Sequence, residues 1–109
     1  MAVNVEQNKG DDFRMNILMV VSQSVSRLSV EGIARACIRR NQSYSIFFTG
    51  RGVQVFAQVD EAIIDGASET VACEHAWNTY LEKIVCPGVL GSQTDHSRML
   101  GLADRVISL

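Results

Sequence analysis

Residues 44–56 constrain the fold more than any other part of the chain. They read Tyr44-Ser45-Ile46-Phe47-Phe48-Thr49-Gly50-Arg51-Gly52-Val53-Gln54-Val55-Phe56. Ile46, Phe47 and Phe48 form an unbroken apolar run, too short for a helix and made of strand formers. A strand that lacks apolar–polar alternation needs cover on both faces, which is the condition of a parallel sheet packed between helices. Thr49-Gly50-Arg51-Gly52 ends the run. Its two glycines permit a tight turn or a close backbone approach at the strand's carboxyl end. In open α/β sheets that end is where ligands and chemistry collect.

A second continuous run, Ile17-Leu18-Met19-Val20-Val21, predicts a buried first strand over residues 16–22. Between the two runs, Val30, Ile33, Ala34, Cys37 and Ile38 fall at i, i+3, i+4, i+7 and i+8, one face of a helix. Ser26 or Ser29 supplies an N-cap, and Arg39 and Arg40 suit the negative end of the helix dipole. Strand, helix, strand in this order is a right-handed βαβ unit. Residues 53–56 read as a short helix or a strand end, and residues 60–64 as one helical turn. From residue 69, Cys73, Trp77, Leu81 and Ile84 follow a helical path, so a second long helix is predicted. The competing reading there is a strand over residues 70–73 followed by a shorter helix. Residues 83–86 predict a short strand stopped by Pro87-Gly88. Gly91-Ser92-Gln93-Thr94 reads as a loop. Thr94 or Asp95 caps a last helix reaching about residue 102, with Met99, Leu100 and Ala103 inward. Residues 105–109 close the chain as a terminal strand. The sum is a small three-layer α/β/α domain over residues 15–109, with a mostly parallel sheet of four or five strands. Residues 1–14 are polar and mixed in charge and are expected to form a disordered tail.

A chain of 109 residues, 47% of them apolar, suffices for one compact domain with its own core. The net charge of −2 argues against direct nucleic-acid binding. No apolar run approaches the about 20 residues of a membrane-spanning helix. Residues 1–14 lack the basic start and apolar block of a signal peptide, so a cytoplasmic location is expected. The three cysteines, Cys37, Cys73 and Cys86, are odd in number and form no CxxC pair. Neither a disulfide framework nor a zinc site is expected from them.

Cys86 draws attention because the predicted strand before it would place its thiol on the same rim as Gly50-Arg51-Gly52. Only the thiolate is a good nucleophile, and Arg51, His96 or the start of the last helix are the groups available to favour it. A small buried hydrophobe is the alternative role. Cys73 has the same two roles open. In the helical reading it is core, and in the strand reading it lies near a strand end beside Glu74 and His75. Cys37 lies on the inward face of the best helix and reads as packing. Asp95-His96-Ser97 spells out a triad, but adjacent residues on a helix diverge, and Ser97 has no nucleophile elbow. Gly50-Arg51-Gly52 lacks the third glycine of a nucleotide fingerprint, with Val55 standing there instead. Trp77, Tyr80 and Phe56 suit either core or an interface.

Taken in order, Phe47-Phe48-Thr49-Gly50-Arg51-Gly52-Val53, Ala76-Trp77, Ile84-Val85-Cys86 and Asp104-Arg105-Val106-Ile107 resemble the DsrE/TusD-like family of small sulfur-relay proteins. The resemblance spans residues 15–109. It implies a DsrEFH-like α/β fold, assembly into homo- or hetero-oligomers (often hexamers), and a cysteine that carries sulfur as a persulfide. The position matching the active cysteine is Cys86, with Cys73 as the weaker alternative and Arg51 and His96 in support. Sulfur donor and acceptor proteins are the implied partners, in tRNA thiolation or sulfur-compound oxidation, with no metal or organic cofactor. Some subunits of such assemblies lack a working cysteine and only support the complex, which is the alternative role. A small-ligand-binding α/β module built on the glycine turn is a third.

Overall fold

The structure, a computed structural model, describes residues 14–109. The expected N-terminal tail thus lies, up to residue 13, outside the described residues. The elements in chain order are β1 (Asn16–Val21), α1 (Arg27–Arg39), β2 (Ser43–Phe48), a 3-10 turn (Gly50–Gly52), α2 (Val53–Phe56) and α3 (Glu61–Gly66). They continue with β3 (Glu69–Cys73), α4 (Glu74–Tyr80), β4 (Val89–Gly91), α5 (Gln93–Leu102) and β5 (Arg105–Ser108). One five-stranded sheet runs β4-β3-β2-β1-β5, and every neighbouring pair is parallel. The three-layer α/β/α domain expected from the two apolar runs is the fold observed.

The runs occupy the centre of the sheet, as their composition requires. Ile46, Phe47 and Phe48 on β2 are wholly buried, at 0% exposure. Phe48 points into the larger core with Tyr44, Ile46, Met19 and Val21, against α1, α2, α3 and α4. Phe47 points to the opposite face, where Leu18, Val71 and Met99 of α5 close over it. Each such side chain contributes about 1.5–3 kcal/mol by leaving water.

Local chemistry sets the ends of the elements. α1 stops where Asn41 takes a left-handed conformation, φ 54°. The Gln42 N–H then bonds the Cys37 carbonyl at 2.9 Å and the Asn41 N–H the Ile38 carbonyl at 3.2 Å, a Schellman closure. Val30, Ala34 and Cys37 face inward as the helical period requires, while Ile38 remains 52% exposed. Asp60 caps α3 by accepting from the Ala62 N–H at 3.2 Å. Ser92 caps α5, two positions before the expected Thr94 and three before Asp95, and Asp95 accepts the reciprocal bond from the Ser92 N–H at 2.9 Å. Of the side chains expected inward on the last helix, Met99 is buried and Leu100 is 40% exposed.

Two expectations are corrected. Residues from 69 onward do not form one long helix. Glu69–Cys73 is a strand in register with β2, Phe47 opposite Val71 and Phe48 opposite Ala72, and only Glu74–Tyr80 is helical. The helical period after Cys73 is real, since Ala76 and Trp77 are buried, but the open edge of β2 captures the β-branched stretch before it. Residues 83–86 are not a strand. The chain there is held by the Trp77 indole, whose Nε1–H donates to the Ile84 carbonyl at 2.7 Å, and Val85 stands 91% exposed. The fourth strand comes later, at Val89–Gly91, where a loop was expected to begin.

Gly52 shows how tightly the turn after β2 is drawn against β1. A Cβ there would lie 2.0 Å from the Val21 carbonyl oxygen and 2.9 Å from the Ser22 nitrogen, both backbone atoms. Gly52→Ala is expected to destabilise the protein by about 3 kcal/mol. Gly32, on the exposed side of α1, has nothing within 4 Å of the same added methyl. Gly32→Ala is expected to stabilise by about 0.5–1 kcal/mol. Urea unfolding checks the pair: the two midpoints should move in opposite directions from wild type at unchanged slope.

Candidate active site at the carboxyl edge of the sheet

Travel across the sheet reverses once. β1 to β4 lie side by side in chain order, and β5 then returns to the far side of β1. With the hand of each crossover constant, a reversal of travel must move the connecting helix to the other face. The core clusters show this arrangement: α1 to α4 pack on one face and α5 on the other. The connections after β3 and β4 therefore leave the sheet toward opposite faces. Between two such strands the carboxyl edge opens into a crevice, the usual place for ligands and reacting groups in open α/β sheets.

Cys73 stands at that edge. It is the last residue of β3 and pairs with Gly91, the last residue of β4. It is also the N-cap residue of α4, with extended backbone and no capping hydrogen bond from its side chain. The thiol is free, half-buried, and packed against apolar residues of both faces. Cys73 follows Val71 by two residues, so strand alternation sets both on the α5 face.

The supporting residues divide between the two sides of this edge. His96, on α5, lies over Phe47 with ring centroids 4.6 Å apart and planes inclined by 10°. Phe47 is the register neighbour of Val71, so His96 and Cys73 belong to the same face of the sheet. The His96 Nδ1 lies 3.2 Å from Gln93 Oε1. Arg51 sits on the other side. The Gly50–Gly52 turn packs against α4, and the Arg51 guanidinium lies 5.3 Å from the centre of the Tyr80 ring. His75 is exposed on α4, with its carbonyl taken by the Thr79 hydroxyl at 2.8 Å.

Cys86 is not at the carboxyl end of a strand, because the strand expected before it does not form. It lies in the connection from α4 to β4, ahead of β4 rather than at its carboxyl end, half-buried against the larger core. Burial pushes its thiol up from the ordinary range, opposed by a hydrogen bond from the Gly88 N–H. The following Pro87-Gly88 lets the chain pass close to β3: a Cβ on Gly88 would lie 2.6 Å from Phe56 Cζ and 2.9 Å from Thr70 Oγ1. Cys37 is buried at 4% exposure, and desolvation pushes its thiol up as well.

Asp95, His96 and Ser97 form no triad. The Asp95 carboxylate is held by the Ser92 N–H and faces Arg98 at 3.5 Å, which keeps it below the usual carboxylate range. The His96 ring is turned onto Phe47. The second glycine of Gly50-Arg51-Gly52 is accounted for by its approach to β1. Among the described residues, no three His, Cys, Asp or Glu side chains group as a metal site. No described helix is long and apolar enough to cross a membrane. No family model, curated protein or solved structure matches the chain.

The switch-point position of Cys73 was within reach of the sequence only through the strand reading of residues 70–73. The signal was the β-branched pair Thr70-Val71 directly before it.

The raised thiols carry a sign. A thiol held neutral by the fold favours the folded state below the ordinary thiol pKa of about 8.5, and that contribution is lost as pH rises through the higher folded value. Iodoacetamide labelling followed by peptide mass spectrometry reads the same preference. Cys86 should label at a rate that still climbs with pH above about 8.5, and Cys37 should label only on unfolding. A Cys86 rate that levels off near the ordinary value contradicts the burial described.

Proposed function

We propose that this protein is a sulfur carrier that holds sulfane sulfur as a persulfide on Cys73 and passes it to a partner protein. The observation that carries the reading is a free, half-buried thiol at the point where the connections from neighbouring parallel strands part. The resemblance of the ordered motifs to sulfur-relay proteins points to the same chemistry, with Cys86 as the cysteine it matches. The geometry favours Cys73 over Cys86 for it, since Cys86 precedes β4 rather than ending a strand.

The chemistry is an exchange without net oxidation. The Cys73 thiolate attacks the outer sulfur of a donor persulfide, R–S–SH. The donor's S–S bond breaks, R–S⁻ leaves, and Cys73–S–SH forms. An acceptor thiolate then attacks the outer sulfur, takes it as its own persulfide and releases the Cys73 thiolate. No metal or organic cofactor enters either step. Half-burial suits the intermediate, because it limits access by bulk solvent while a docked partner reaches the outer sulfur. His96 and Arg51, on the two sides of the edge, are the candidate cationic or proton-accepting groups for this task. Donor and acceptor proteins, in tRNA thiolation or sulfur-compound oxidation in the cytoplasm, are the corresponding partners.

A second reading is a non-catalytic subunit that builds a homo- or hetero-oligomer, such as a hexamer. It is favoured by the exposed apolar side chains beside the short edge strand β4: Val85 at 91%, Val89 at 58% and Leu90 at 39%.

Incubation of the reduced protein with a low-molecular-weight persulfide, followed by peptide mass spectrometry, tests the first reading. An adduct of about 32 Da, one sulfur atom, is expected on Cys73. Cys73→Ser should abolish it and Cys86→Ser should leave it in place. Loss in Cys86→Ser alone moves the carrier to Cys86. Uptake unchanged in both variants overturns the carrier reading, and an oligomer that takes up no sulfur supports the second.

A further inference from the structure

The opposite end of the sheet holds a cleft that the carrier reading does not use. It lies where the last turns of α1 pass over the start of β1, with a volume of about 290 Å³, lined by Met15, Ile17, Ile33, Ala36, Cys37, Arg40 and Gln42. That is near the lower bound of small-ligand sites, about 300 Å³. Met15, Ile17, Ile33 and Ala36 are only half-buried, so each turns an apolar surface into the cleft. The one polar uncharged lining residue is already engaged. The Gln42 side-chain carbonyl accepts from the Met15 N–H, and its amide donates to the Arg40 carbonyl at 3.4 Å.

Among the described residues, the charge lining the cleft is cationic. Arg40 is the only charged residue among the described lining residues. Arg105 on β5 is the register neighbour of Ile17, and paired residues of adjacent strands share a face. Arg105 thus flanks the cleft on the side away from α1. The nearby carboxylate of Asp104 is turned to the backbone, accepting from the Asn16 N–H at 2.8 Å. An apolar floor with arginines on two sides is complementary to one kind of small molecule, an anion with an aliphatic tail. Arginine recognises a carboxylate through two parallel hydrogen bonds, which fixes the head while the tail displaces water from the aliphatic walls.

We propose that this cleft binds a medium-chain aliphatic carboxylate, its tail against Ile17, Ile33 and Ala36 and its head at Arg40, with Arg105 adding to the positive field. The cleft and the thiol edge lie at opposite ends of the parallel strands, so the two sites are separately testable.

Titration calorimetry of the full chain with sodium octanoate, below its micelle-forming concentration, tests the proposal. Saturable binding to one site is expected, and octylammonium, with the same tail and the opposite charge, should not bind. Arg40→Gln should weaken octanoate binding about tenfold. Ala36→Phe, which fills the cleft from the half-buried side of α1, should abolish it. Amide shifts of the wild-type protein provide a readout independent of how that variant folds: octanoate should move Met15, Ile33, Cys37 and their neighbours. Absence of saturable binding, equal binding of octylammonium, or shifts centred elsewhere overturns the proposal.

Discussion

Phe47 and Phe48 hold the two helical layers of the molecule to the sheet between them. They are adjacent on one strand, so they point to opposite faces, and both are wholly buried. A sheet with phenylalanine on each face of its central strand has no face that water can wet. Helices must therefore cover it twice, and the chain has to cross the sheet's edge to supply the second cover. The division is unequal. The Phe48 face collects α1 to α4 and aromatic packing with Phe56 at 4.4 Å and, through Phe56, with Trp77 at 5.9 Å. The Phe47 face has α5 alone, with His96 stacked on the ring.

The position of the candidate thiol follows from that inequality. Helices stay on the Phe48 face as long as the chain travels from β1 toward β4. Cover for Phe47 requires a reversal, and the reversal parts the chain between the ends of β3 and β4. Cys73 stands at the parting. Nothing about cysteine chemistry enters this derivation, which is why the location is informative: the connections would part in the same way with an alanine there, and the chain has a free thiol.

The centre of the fold was legible in the amino-acid sequence because the runs at residues 17–21 and 46–48 have one solution, a strand covered on both sides. The helix between them was legible because Val30, Ala34 and Cys37 keep a helical period unconfused by neighbours. Residues 69–90 were harder for physical reasons. Cys73, Trp77, Leu81 and Ile84 satisfy a helical repeat that runs on from a real boundary at Cys73, and the deciding partner of residues 69–73, the edge of β2, lies more than twenty residues away in the chain. Ile84-Val85-Cys86 has the composition of a strand, but no edge is offered to it. The Trp77 indole takes the Ile84 carbonyl instead, and the sheet is extended by Val89-Leu90-Gly91, too short a segment to show a period. That displacement is why the sequence reading set Cys86 at a strand's carboxyl end, a position that Cys73 holds in the structure. His96 and Arg51 were legible as residue types, but their division between two sides of the edge depends on which face each helix takes.

The shortness of β4 bears on how this edge is built. Its last residue is a glycine, and a Cβ there would lie 2.5 Å from Asp95 Oδ2 and 2.7 Å from Val71 Cγ1. The bare backbone lets the first turn of α5 close onto β3, with Asp95 completing the capping box and Arg98 reaching Glu69 at the far end of the strand. α5 is thereby seated from its first residue, and its N-terminal polar groups are spent on its own cap rather than turned to the thiol. On the neighbouring strand, α4 begins directly after Cys73 with no intervening loop. The thiol is thus carried between a strand end and two helix starts, all held by backbone packing, and its surroundings do not depend on a loop closing over it. Strand end and helix start meet at Cys73 without a spacer, so packing of the backbone alone fixes where its side chain begins.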